Sequence, residues 1–333
     1  MSKKPTIRSM ASELNLSTAT VSMALRDMGR MADATRERVL AHARERGYVA
    51  DPLVAEGLSR VRRNVVFQEN LVCLWDVDPA PLSWAEGFRA ARDRRAADLG
   101  YKLEDHVVDF DDRRKLAGAF RMLRARGVRG VILAPFFLPR HGVELDLEHF
   151  AWVGIGTSVP EPGIRRVVRD LRRDIPRCVR ALEERGCRRI GFVESARRAT
   201  QTDHALLAYA LRWHYHAGCS LKDPYHELVD GEEAAFRKWL ARAKLDGLVL
   251  GQSVSHEFRG CVPEALPKSN VTVPQVPHSD PGCLPHYRRV GIAAIDLLRN
   301  MLTHNELGLP DHAESIAIES LWFEAEQRME EGE

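Results

Sequence analysis

Residues 6–48 read TIRSMASELNLSTATVSMALRDMGRMADATRERVLAHARERGY and constrain the chain more than any other stretch. Thr6 is placed to cap a first helix that carries Met10, Ala11 and Leu14 near helical spacing. Asn15 and Leu16 supply a tight turn, and Ser17 is expected to cap a second helix holding Ala19, Val21, Ser22 and Leu25. A third helix is expected over residues 34–46, with Val39, Leu40 and Ala43 as its inner face and Gly47 as its stop. Helices this short are marginal alone in water, so the three must bury their apolar faces against one another. A short basic lead, residues 1–5, precedes them, and a much longer segment follows.

Helix, turn of three to four residues, helix and a supporting helix is the helix-turn-helix arrangement, whose second helix enters the major groove of DNA. The alternative is a three-helix bundle that touches no nucleic acid. Charge leans toward DNA: residues 1–63 carry twelve Lys/Arg against seven Asp/Glu, while the remainder is slightly acidic and the whole chain is +2. Basic N-termini are common, however, and the order of residues is more specific. Thr6-Ile7, Ala11, Leu16-Ser17, Thr20-Val21-Ser22, Ala24-Leu25, Thr35-Arg36-Glu37-Arg38-Val39 and Gly47-Tyr48 stand as in the headpiece of the lactose-repressor (LacI/GalR) family, which the stretch resembles. Asp51-Pro52, Val54-Ala55 and Leu58 resemble that family's hinge.

The resemblance implies an α + α/β chain. Its parts would be a three-helix helix-turn-helix headpiece (1–50), a hinge helix or linker (51–63) and a two-lobed, periplasmic-binding-protein-like α/β body (64–333). Lobe crossovers are expected near 160–170, 276–286 and 305–315. By the same resemblance Thr18, Ala19, Ser22, Met23 and Arg26 match positions that read base edges, and Thr6, Thr35 and Tyr48 match positions that touch phosphates. Ser17, Thr20 and Arg30, with Val54 and Leu58 from the hinge, complete the expected DNA-binding set. Ala19 and Met23 depart from the family, where long polar side chains are usual. Neither can make bidentate bonds to a base, but both can pack on thymine methyl groups. Thr6 and Ser17 are needed as caps whether or not DNA is present.

Beyond residue 71 the texture changes. Apolar strands are expected at 71–77, 131–134 and 150–155, with helices at 84–99 and 113–126. The pattern then restarts, with helices at 174–185, 204–216 and 232–243 and strands at 189–193 and 245–250. Strands alternating with helices of ten to sixteen residues imply βαβ units and a parallel sheet. Residues 180–195, RALEERGCRRIGFVES, resemble the opening of the family's second lobe. Residues 287–301, with Gly291, resemble its late helix, and Glu319-Ser320 its closing strand. Sugar-binding members usually place an Arg at the start of the helix after the 189–193 strand and an Asp after the 245–250 strand. Here those places read Thr202-Asp203-His204-Ala205 and Gly251-Gln252-Ser253-Val254. Asp203, His204 and Gln252 are therefore the candidate effector contacts, and common free sugars are expected to bind poorly. The alternative is that Asp203 and His204 do no more than cap the helix that follows. Asp170 matches an acidic position at the edge of the second lobe, and the Pro-rich stretch 263–285 departs from the family pattern.

The chain holds no run of eighteen apolar residues, and its charged start, with no apolar stretch after it, is not expected to be a signal peptide. Its six cysteines form no CxxC pair, which suits reduced thiols and a cytoplasmic, nucleoid-associated protein. No Gly-rich phosphate loop, nucleophile elbow or supported carboxylate pair appears, so neither an enzyme nor a cofactor is expected. His214 and His216 stand at i and i+2 of an expected helix and do not face each other. His278, Cys283 and His286 lack a fourth ligand, so no metal is expected either. The expected function is a sequence-specific DNA-binding transcription regulator, a repressor, acting as a homodimer on a palindromic double-stranded operator. A small-molecule effector in the body's cleft would modulate it, and no membrane is involved. The competing reading is a solute-binding or enzymatic α/β body that carries the headpiece as a targeting module.

Within the hinge, Pro52 can open a helix, and Leu53, Val54 and Leu58 form an apolar face with no core of its own. Gly57 weakens that helix by about 1 kcal/mol relative to Ala. Residues 52–60 are therefore expected to fold on DNA, with Leu58 wedged into a base step. Hydrogen exchange should show protection there only with operator, and Leu58→Ala should reduce both affinity and bending. Strong protection without DNA would contradict this coupling.

Overall fold

The computed structural model describes residues 7–25, 31–46, 69–136, 143–159, 161, 163–218, 224–252, 254–273 and 280–324, leaving aside the side chains of Arg8 and Ala19. The hinge, 51–63, lies outside them. The chain divides into two compact units, Met1–Phe67 and Gln68–Glu333.

The first unit is a three-helix bundle of α1 (Ile7–Leu14), α2 (Thr18–Leu25) and α3 (Asp33–Glu45). Met10, Ala11, Val21, Ala24, Val39 and Ala43 form its core. Asn15 ends α1 at φ +57°, a left-handed conformation that Asn tolerates, and Leu16 N–H returns to the Ala11 carbonyl at 2.9 Å. Glu13 ties α1 to α3: it accepts from Arg46 at 2.5 Å and lies 2.7 Å from His42 Nε2. The hydrogen bonds from Arg46 and then from His42 hold its carboxyl below the usual range.

The second unit has two lobes, each built on a six-stranded sheet. In chain order its elements are β1 (Glu69–Trp75), α4 (Ser83–Asp98), β2 (Tyr101–Val107), α5 (Arg113–Ala125), β3 (Gly130–Leu133), β4 (Ala151–Ile155) and β5 (Arg165–Arg169). There follow α6 (Leu171–Glu184), β6 (Ile190–Ser195), α7 (Ala196–Gln201), α8 (Ala205–Ala217), β7 (Tyr225–Leu228), α9 (Glu233–Ala243) and β8 (Gly247–Leu250). The chain continues through α10 (His256–Arg259), β9 (Lys268–Asn270), β10 (Gly282–Leu284), α11 (Tyr287–Thr303), β11 (Ser315–Ile318) and β12 (Leu321–Phe323). The first sheet runs β11-β5-β4-β3-β1-β2, with every pairing parallel. The second runs β12-β10-β9-β8-β6-β7, parallel except for the antiparallel β10/β12 edge.

Helices cover both faces of each sheet, so central strands are buried on both sides and read as continuous apolar runs. Along β1, Leu71, Cys73 and Trp75 join the core with Phe88 of α4 and Ile295 and Leu298 of α11. Val72 and Leu74 turn the other way, into a core with Leu116, Phe120 and Leu123 of α5. In the second lobe Ile190 and Phe192 pack with α6 and α8, while Val193 packs with Phe236 and Trp239 of α9.

The chain passes between lobes three times. It leaves the first sheet after β5 at Asp170, returns after β10 through Pro285-His286 into α11, and crosses again at Glu319-Ser320 between β11 and β12. The last crossing lies beyond the expected 305–315. Residues 315–318 are still needed to extend the first sheet beside β5, so the chain cannot leave that lobe earlier. The five described cysteines are all free and buried. Among the described residues no helix is long and apolar enough to cross a membrane.

Gly291 sets the approach of α11 to α4. A Cβ there would stand 2.6 Å from the Phe88 carbonyl oxygen and 3.2 Å from Arg92, so α11 would have to move outward. Gly291→Ala is expected to cost about 1–3 kcal/mol by overpacking, read as a lower urea midpoint with an unchanged slope. An unchanged midpoint would show that the two helices are free to separate.

Candidate functional site

The first candidate surface is the outer side of α2. Ser17 caps this helix: its Oγ accepts from Thr20 N–H at 3.0 Å and lies 2.8 Å from Thr20 Oγ1. Both hydroxyls therefore serve the helix start. Val21 and Ala24 point into the bundle, which turns Thr18, Ser22 and Met23 outward. Thr18 is exposed, Ser22 is half-buried and Met23 is 40% exposed. Met23 is therefore exposed beside buried Val21 and Ala24 and does not belong to the bundle's core. Thr35, half-buried in the first turn of α3, directs its N–H to the Ala32 carbonyl at 2.9 Å. Thr6, Arg26, Arg30, Tyr48, Val54 and Leu58 lie outside the described residues, as does the side chain of Ala19.

The second candidate lies between the lobes, where the parallel strands of both sheets end. Asp203 and His204 are exposed and sit at φ +51° and +53° in the turn between α7 and α8. Gln252 is half-buried in the turn after β8. The expected helix at 204–216 is α8 and is not the first to follow β6. A shorter helix, α7, intervenes, and it carries Arg197 and Arg198. Arg197 and Arg198 thus stand in a helix that the sequence reading did not expect, while residues 202–205 at the start of α8 carry no Arg. Six residues at the end of an apolar run give too little periodicity to register as a helix.

Arg198 Nη1 donates to Gln201 Oε1 at 2.8 Å. Gln201 Nε2 crosses to the Phe136 carbonyl of the first lobe at 3.0 Å, and Thr157 of that lobe donates its hydroxyl to the Gln201 carbonyl. Burial, then the charge of Arg197, lowers the Arg198 pKa. Arg169 adds to this effect, while Tyr287 and Glu194 oppose it. Arg169 spans the lobe boundary: it pairs with Asp174 at 2.5 Å and donates to Ser320 Oγ at 2.9 Å, Thr272 Oγ1 and the Val271 carbonyl. Burial pushes the Tyr287 phenol up, and its ring lies 5.4 Å from that of Trp84. His214, one of the weak metal candidates, is a core residue whose Nε2 lies 3.0 Å from the Ile190 carbonyl oxygen.

Glu194 is 2% exposed and accepts a hydrogen bond from Tyr225 at 3.3 Å. Glu227 stands directly across from it on β7. Burial first, then the like charge of Glu227, pushes its pKa up to about 7.

No family model and no curated protein sequence matches the chain. Solved structures do. A complex of the transcriptional regulator CelR with cellobiose superposes at TM-score 0.58 and 17% identity, over 96% of this chain and 98% of that one. The lac repressor dimer bound to operator and the anti-inducer ONPF gives 0.57 and 16%, over 97% and 98%. The fold is that of LacI-type regulators. A periplasmic binding protein/LacI transcriptional regulator from Alkaliphilus metalliredigens QYMF, complexed with D-xylulofuranose, gives 0.56 and 13%, over 77% of this chain and 98% of that one.

A raised carboxyl pKa favours the folded protein below the ordinary 4.5, and that stability is lost as pH rises toward about 7. Glu194→Gln is expected to flatten the stability profile between those values and to exceed the wild type above pH 7, by on the order of 3 kcal/mol. Thermal unfolding across pH 4–8 reads this. Parallel profiles for the two proteins would show that Glu194 ionises normally.

Proposed function

We propose that the chain is a LacI-family transcription regulator, acting as a homodimeric repressor in the cytoplasm on a palindromic operator, with a small-molecule effector held between the lobes of its body. The observation that carries this reading is the Ser17-capped α2. It buries Val21 and Ala24 and leaves Thr18, Ser22 and Met23 on its open side. Fold likeness along nearly the whole chain to a repressor dimer on operator and to a regulator holding cellobiose supports the same assignment. One α2 offers few base contacts. Two on a palindrome double them, which is the physical case for a dimer. An effector that binds one arrangement of the lobes better than another would shift DNA affinity by that difference. The hydroxyls of Thr18 and Ser22 can reach phosphate or base edges, and Met23 supplies apolar contact suited to thymine methyls.

Selection from random duplex DNA should return a palindromic site rich in thymine under Met23. Met23→Ala should weaken that site by about 1 kcal/mol, roughly fivefold, and leave random DNA unchanged. Its exposed position predicts unaltered thermal stability. Equal loss on both DNAs would remove Met23 from the reading surface, and failure to select any site would overturn the regulator assignment.

A further inference from the structure

We propose that Gln201 is a displaceable latch between the lobes, and that the molecule which displaces it is a small oxyanion presenting a carboxylate or phosphate to Arg198. This rests on the reading of the inter-lobe region as an effector site.

Gln201 is 6% exposed, and each polar part of its side chain is engaged. Its Nε2 holds the Phe136 carbonyl of the first lobe at 3.0 Å, and its Oε1 accepts from Arg198 of the second lobe at 2.8 Å. One carboxamide thus makes the pair of bonds that a bound molecule bridging the lobes would make. Its oxygen is a neutral acceptor on a guanidinium. A charged acceptor in the same place adds direct ion-pair attraction and, as a carboxylate or phosphate, fork-like two-bond geometry, whereas a sugar hydroxyl offers neither. An oxyanion is therefore the class of ligand able to take Arg198 from Gln201.

The surroundings favour the same charge. Arg197 and Arg169 act on Arg198 as further positive charges, and Glu194 ionises only near pH 7. Ser195, three residues before Arg198, leaves its hydroxyl oxygen buried without a hydrogen-bond partner, an available donor for an anion. Once Oε1 loses Arg198, the amide is less firmly oriented toward Phe136, so anion binding and the link between lobes oppose each other.

The test uses the full chain with inorganic phosphate as the probe, against chloride at matched ionic strength, read by thermal unfolding. Phosphate should raise the melting temperature saturably in the wild type and not in Arg198→Met. Gln201→Ala should reach half-saturation at several-fold lower phosphate, because the internal competitor is gone. Gln201→Glu should ignore phosphate, because a tethered carboxylate already occupies Arg198, while its loss of the donor to the Phe136 carbonyl removes the side chain's link to the first lobe. Equal phosphate affinity in Gln201→Ala and wild type would overturn the latch. Absence of a saturable effect in both, or an undiminished effect in Arg198→Met, would overturn the oxyanion site. These readouts need no DNA, so failure to select an operator would overturn the regulator reading and leave this result standing.

Discussion

Arg169 is the interaction on which the two-lobed body depends. It ends β5 at the first crossing, yet its guanidinium is spent on the other lobe: on Asp174 at the start of α6, on Val271 and Thr272 after β9, and on Ser320 at the third crossing. Asp174 is fully buried and also accepts from Ser320 Oγ at 2.6 Å. Arg177 completes the knot by donating to the Ser320 carbonyl at 2.8 Å. A buried ion pair adds little net stability compared with an apolar replacement, but breaking one partner strands a charge and costs about 3–5 kcal/mol. The pair therefore works mainly as a specification. It fixes which strand end meets which helix start at the crossings between the lobes.

That arrangement explains what could be read from the sequence and what could not. The buried strands announced themselves because parallel strands under two helical layers must be apolar along their length, as in Leu71–Trp75 and Gly247–Leu250. Their neighbours at the sheet edges did not. In β2, Tyr101, Leu103 and Val107 alternate with Lys102, Glu104 and His106, and the run ends in exposed Val107. In β7 the segment is four residues long and half-buried. An edge strand is paired on one side only and tolerates charge, so its pattern carries little of the signal that a buried strand carries.

The inter-lobe residues were harder still. Arg169 lies in an Arg-rich strand, Arg165–Arg169, whose composition suggests a solvated surface, and only three-dimensional closure reveals its partners. Arg198 and Gln201 were missed because α7 is six residues long, and because two consecutive non-glycine residues at positive φ, Asp203 and His204, separate it from α8. Such a double left-handed turn is uncommon, and Asp and His are among the residue types that tolerate it best. The sequence reading offered those two polar residues either as effector contacts or as the start of the helix that follows. In the structure they form the turn that redirects the chain, after which α8 buries Leu206, Ala210 and Trp213.

The same logic ties the outer side of α2 to its start. Ser17 was legible both as a cap and as a contact to DNA, and the structure gives its Oγ to Thr20 on two counts, backbone and hydroxyl. A hydroxyl already accepting from a backbone N–H can still offer its remaining capacity outward, but it is poorly placed to choose among bases. On the proposed reading, discrimination falls to side chains free of the cap, and among the described ones Thr18, Ser22 and Met23 remain. Met23 alone of these has no hydrogen bond to give, so on DNA it would contribute shape and apolar contact. A reading surface weighted this way would distinguish sites by their methyl groups and by fit more than by paired donors and acceptors. Each such contact discriminates less than a bidentate pair does, which would make a second copy of α2 on the same DNA more necessary.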